Sequence, residues 1–98
     1  MIRHLVLFRF RPGTSEEQIR QAGDALCAMR HHIPEIREVR WGANLSPESA
    51  GEYSHVLTVV VDDLPAVERY LAHPVHRRTV ADYVAPIREA RLAVDLDT

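Results

Sequence analysis

Residues 70–76 read Tyr70-Leu71-Ala72-His73-Pro74-Val75-His76 and gather one phenol and two imidazoles around a proline. Proline lacks an N–H and fixes φ, so it belongs in the first turn of a helix, not its middle. The segment predicts a helix ending near residues 70–72, a break at His73 and a new helix starting at Pro74. Histidine exchanges protons near neutral pH. A kink that gathers Tyr70, His73 and His76 is therefore a candidate place for chemistry.

Working outward, Asp62-Asp63-Leu64-Pro65 starts the preceding helix, with an aspartate cap and a proline in the first turn. Before it, residues 53–61 alternate as a strand, with Tyr53, His55, Leu57, Val59 and Val61 on one face and Val56, Thr58 and Val60 on the other. Residues 42–51 are rich in Ser, Asn, Pro and Gly and read as a loop. A weaker strand over 35–41 carries Ile36, Val39 and Trp41. Ile2 to Phe10 alternates as well: Ile2, His4, Val6, Phe8 and Phe10 face one way, Arg3, Leu5, Leu7 and Arg9 the other.

Arg11-Pro12-Gly13 closes that strand. Thr14 or Ser15 then caps a helix, with Glu17 or Gln18 three residues on. Its buried stripe is Ile19, Ala22, Leu26, Met29 and Ile33, and Pro34 ends it. Gly23 lies inside it, costing about 1 kcal/mol relative to alanine. Beyond the kink, Val75, Val80 and Tyr83 lead to Pro86. The last strand, 90–96, places Leu92, Val94 and Leu96 on one face.

The order strand, helix, strand, strand, helix, strand is the split βαβ pattern of ferredoxin-like α+β domains. The expectation is one βαββαβ domain over residues 1–98: a four-stranded antiparallel sheet with both helices on one face. The first and third strands are apolar on both faces, so an uncovered face would expose a large apolar patch. A second copy packed sheet against sheet resolves this, and a homodimer is expected.

Composition narrows the partners. The 98 residues are 46% hydrophobic and 27% charged, with a net charge of -2. Neither nucleic acid nor an anionic membrane is the expected partner, since both call for a basic surface. Arg77-Arg78 is too short a run to change that. The single cysteine, Cys27, allows no intrachain disulfide and reads as a small core residue. No apolar run approaches a membrane span and no secretory pattern shows at the N-terminus, so a cytoplasmic location is expected. Six histidines invite a metal reading. But no Cys pair or H-E-x-x-H motif accompanies them, and no metal site is expected. No Gly-rich loop suggests a nucleotide, so no nucleotide cofactor is expected, and no nucleophile elbow suggests a Ser-His-Asp triad.

The chain resembles a known family. His4-Leu5-Val6-Leu7-Phe8-Arg9-Phe10 looks like its opening strand. Ile33-Pro34 and Trp41-Gly42 are similar to its next landmarks, Tyr70 to His76 to its Y-x-x-H-P-x-H signature, and Val94-Asp95 to its closing strand. This is the stress-responsive dimeric α/β-barrel (Dabb) family, and the resemblance spans nearly the whole chain. It implies a ferredoxin-like protomer and a dimer whose two sheets form a barrel. The family is functionally mixed. Its plant polyketide cyclase closes a linear polyketide acid by an aldol-type condensation without cofactor or metal. Carried over, the resemblance implies that no cofactor of any other kind is expected, with His76 as base, Tyr70 as its partner and His4 on the pocket wall. A further pocket tyrosine of that enzyme falls at Leu26, which removes a hydroxyl.

The residue types suit the chemistry. Proton removal next to a carbonyl needs a base with a pKa near working pH, and the enolate needs a hydrogen-bond donor where charge develops. Structural readings stand beside these. His4 can be satisfied by a backbone carbonyl, His73 can cap the helix at Pro74, and Tyr70 can be a core aromatic. His31-His32 can sit solvated at a helix end, and His55 can face the barrel interior. The expected function is a stress-response barrel protein binding a small apolar or carbonyl-containing molecule between sheet and helices. The alternatives are a cyclase-like enzyme using the His/Tyr pair and a cofactor-free monooxygenase-like protein.

Overall fold

The computed structural model describes residues 1–98. Strand β1 (Ile2–Phe10) leads into helix α1 (Glu16–Ala28), then β2 (Glu38–Ala43) and β3 (His55–Val61). Helices α2 (Leu64–Ala72) and α3 (Pro74–Thr79) follow, and β4 (Arg88–Asp97) closes the fold. The strands pair antiparallel in the order β2-β3-β1-β4. This is the ferredoxin-like α+β arrangement.

Local chemistry sets the helix ends. Ser15 caps α1 in a reciprocal capping box with Gln18. Asp63 accepts from the Ala66 amide at the start of α2. His73 ends α2 and caps α3, its Nδ1 accepting from the Val75 amide at 3.1 Å. Its extended ψ of 136° is what a residue before proline adopts. The helix expected to run to Pro34 stops at Ala28 and tightens into a 3₁₀ turn over Met29–His31. Beyond α3 the chain widens into a π turn over Val80–Val84.

Strand limits differ from the sequence reading. β2 begins at Glu38 because residues 33–36 close a turn, the Ile36 amide donating to the Ile33 carbonyl at 3.2 Å. β3 begins at His55 because Asn44 ties up the preceding loop, its Nδ2 donating to the Tyr53 carbonyl at 2.8 Å and to Ser49 Oγ at 3.0 Å. β4 begins at Arg88, two residues early, with a bulge: Arg9 pairs with Ala90 but Phe10 with Arg88.

The register sorts the two faces. His4, Val6 and Phe8 lie beside Val59, Leu57 and His55 on the face under the helices. There they meet Leu26, Met29, Val67 and Tyr70 in one core. Burying a side chain such as Phe8 or Leu26 contributes about 2 kcal/mol. Trp41 packs directly on Gly23 of α1, where a Cβ would lie 2.3 Å from the indole nitrogen. That contact explains the glycine inside the helix. The opposite face carries Leu5, Leu7, Val56, Leu92, Val94 and Leu96 and is bare. No helix is long and apolar enough to cross a membrane.

Candidate functional site

Three side chains singled out in the sequence come together. Tyr70 reaches from α2 onto the sheet, its ring centre 6.0 Å from that of His4 on β1 and nearly perpendicular to it. The ring centre of His76, in the first turn of α3, lies 4.8 Å from that of Tyr70, tilted against it. The break at His73 makes this possible. Without it α2 would continue straight and carry residue 76 past the sheet. His4 and Tyr70 are 5% and 1% exposed, whereas His76 is half-buried and is the member that faces outward.

A fourth residue joins them that sequence reasoning missed. His4 Nδ1 donates to Asp95 Oδ1 at 2.6 Å, so the carboxylate, not a backbone carbonyl, fixes the tautomer and tilt of the ring. The signal lay in strand parity. If Leu92, Val94 and Leu96 share a face with Leu5 and Leu7, then Asp95 must share one with His4, and the register pairs them.

Burial sets the protonation states. Partial burial pushes the His76 pKa below its ordinary value, with the His4, Arg91 and Arg77 charges acting the same way against a pull from the Leu71 carbonyl. The imidazole is therefore neutral at neutral pH. Burial drives the Tyr70 phenol far upward, so it stays protonated. A neutral imidazole beside a neutral phenol is the pairing that takes up a proton and donates a hydrogen bond to a developing oxyanion.

The space around the cluster differs from the expected pocket between sheet and helices. Leu26, where the cyclase comparison calls for a tyrosine, is buried core. None of the surface clefts is lined by His4, Tyr70 or His76. One cleft lies between α1 and α3, against Met29, Val75 and Tyr83. What is open beside the cluster is β4 itself. It pairs with β1, and no helix packs squarely on it. Its helix-side face presents Arg91, Ala93 and Asp95, all exposed, as a strip running past the cluster.

The remaining histidines fall elsewhere. His31 and His32 are exposed at the end of the 3₁₀ turn. His55 does not face the open side of the sheet, where the barrel interior was expected. It lies under the helices, stacked on Trp41 at 5.4 Å and tilted against Phe10 at 5.5 Å, because it pairs with Phe8 on the core face. No group of three or more His, Cys, Asp or Glu side chains is placed to hold a metal ion.

Comparison with known proteins adds a family match. The model of the stress responsive A/B barrel domain family matches residues 2–98. An uncharacterized protein of Streptomyces coelicolor is 38% identical over 85 residues, which cover 83% of this chain and 84% of that protein. A stress-response A/B barrel domain-containing protein of Arabidopsis thaliana is 28% identical over 76 residues, covering 76% of this chain and 70% of its own. Among solved structures, a dimeric ferredoxin-like protein of unknown function from Thermobifida fusca superposes with a TM-score of 0.83. It is 32% identical, with 99% of this chain and 90% of that one covered.

Proposed function

The chain belongs to the stress responsive A/B barrel domain family, and on that premise we propose that it binds a small carbonyl-containing molecule beside β4 and moves a proton at the carbon next to the carbonyl. The observation that supports this is the unbroken contact from Asp95 through His4 and Tyr70 to His76. His76 acts as the base. The Tyr70 hydroxyl donates to the enolate oxygen. His4, held by Asp95, forms the wall that keeps the Tyr70 ring in place. The ligand lies on the open strip, since none of the clefts opens onto His4, Tyr70 or His76 and Leu26 is buried core. The working unit is a homodimer, like the Thermobifida protein, joined through the bare apolar face of the sheet.

Proton exchange into solvent tests the reaction. In D₂O, the protein should speed loss of the α-proton signals of 2-pentanone in ¹H NMR spectra. His76→Ala should cut the acceleration by about 10²-fold or more, the usual worth of a positioned base. Tyr70→Phe should lower it while the fold persists. Exchange no faster than in buffer, or undiminished in His76→Ala, would overturn the reading.

A further inference from the structure

Three arginines crowd the end of the strip nearest His76. Arg91 is opposite Phe8 in the β1–β4 ladder, and Phe8 is a core residue, so Arg91 stands on the helix side. The bulge then breaks the alternation of β4. Without it, residue 88 would share the open face with Leu92. With it, Arg88 pairs with Phe10 and joins Arg91 on the helix side. Arg11 is drawn to the same place, its amide donating to the Ile87 carbonyl at 2.8 Å.

None of these three guanidinium groups has a carboxylate partner; nor have Arg30, Arg77 and Arg78, whereas Arg3, Arg9, Arg20, Arg37, Arg40 and Arg69 do, and what sets the three apart is that they lie together. The nearby Glu89 carboxylate is turned to Arg9, 3.0 Å away. Mutual repulsion is felt within the cluster: Arg91 and Arg11 both add to the burial that makes Arg88 harder to protonate. Like charges held together without a counter-charge raise the free energy of the unliganded fold, and an anion placed among them relieves it. Arg91 is also close enough to His76 for its charge to bear on that imidazole.

We propose that Arg91, backed by Arg88 and Arg11, clamps a carboxylate on the substrate, so that the molecule taken up is a keto acid whose carbonyl end lies at His76 and Tyr70. The proposal rests on the functional reading above and adds the substrate class to it. A guanidinium fork matches a carboxylate in two parallel hydrogen bonds, which fixes orientation as well as position. The strip also excludes the reverse orientation. Asp95 stands about 13 Å from Arg91, four strand residues along, and a carboxylate placed there would meet a like charge.

Two probes of nearly the same shape test this: 4-oxopentanoate, and 2-pentanone, in which a methyl group replaces the carboxylate. Binding is read from the ring-proton shifts of His76 in NMR titrations at low salt. The dissociation constant of 4-oxopentanoate should be at least tenfold lower than that of 2-pentanone. That ratio should fall toward one in Arg91→Gln. It should persist in Arg78→Gln, which removes the same charge from α3 rather than from β4 and controls for net charge. Equal affinity of the two probes, or a preference that survives Arg91→Gln, would overturn the clamp alone and leave the proton-transfer reading standing. No response of His76 to either probe would overturn both.

Discussion

On folding, the ring of His76 loses part of its water, and the imidazolium loses more by this than the neutral ring. His55 is affected in the same way by its burial between Phe10 and Trp41. Both folded pKa values therefore lie below the unfolded value of about 6.5. Above that value both states are neutral and stability is complete. As pH falls through it, the unfolded chain takes protons that the folded rings resist, so stability declines until the folded pKa values are passed. The midpoint of thermal unfolding should accordingly drop between about pH 7.5 and 5.5, and the drop should shrink in His76→Gln and again when His55→Gln is added. The arginine-paired carboxylates Glu17 and Asp62, whose pKa values are lowered, titrate below that window and do not mask it. A flat profile in the unmodified protein would contradict the burial argument. At this scale the family resemblance named His4, Tyr70 and His76; strand alternation and the proline break account for why the fold brings the three together. Asp95 and Arg91 escaped notice because β4 was read only for its apolar face.

Elements were legible in order but not in extent. Caps and prolines are local signals, and they placed the starts of α1, α2 and α3 correctly. The ends of β2 and β3 depend on turns closed by particular hydrogen bonds, such as those of Asn44, which periodicity does not reveal. The bulge in β4 depends on pairing with β1 and has no signal within its own strand. Gly23 shows how an element's oddity is resolved by its neighbour. In isolation, Gly23→Ala would favour the helix by about 1 kcal/mol. Against Trp41 the added methyl has no room, and the ring sits in a packed aromatic cluster with Phe8, Phe10 and His55. Overpacking of this kind costs about 1–3 kcal/mol. Gly23→Ala should therefore destabilise the protein in urea unfolding, yet stabilise a Trp41→Leu background. The same sign in both backgrounds would show that the indole is not what excludes the side chain.

For the whole molecule, the two faces of β4 answer to different demands. One face carries Arg91 and Asp95 on the helix side, Asp95 bonded to His4. The other exposes Leu92, Val94 and Leu96 at 48%, 44% and 57%, beside Leu5, Leu7 and Val56, while the Arg3–Glu38 ion pair marks its polar border. Exposed apolar faces of this kind mark interaction surfaces, and the Thermobifida neighbour is described as dimeric. The alternation of the opening strand already pointed to such a surface. The chain should elute as a dimer in size-exclusion chromatography with light scattering at a concentration of about 10 μM. Val94→Asp places a charge in the middle of that face, where burial without a partner costs several kcal/mol, and should yield monomers. β4 is an edge strand tied only to β1, so loss of the second copy should also let it fray. Amide exchange of residues 90–97 should then speed up more than that of β3, and the affinity for 4-oxopentanoate should weaken as Arg91 and Asp95 lose their fixed spacing. A monomeric parent protein, or a Val94→Asp variant that remains dimeric, would assign the apolar face some other role. A monomeric variant with unchanged exchange in β4 would show that the site stands without the second copy.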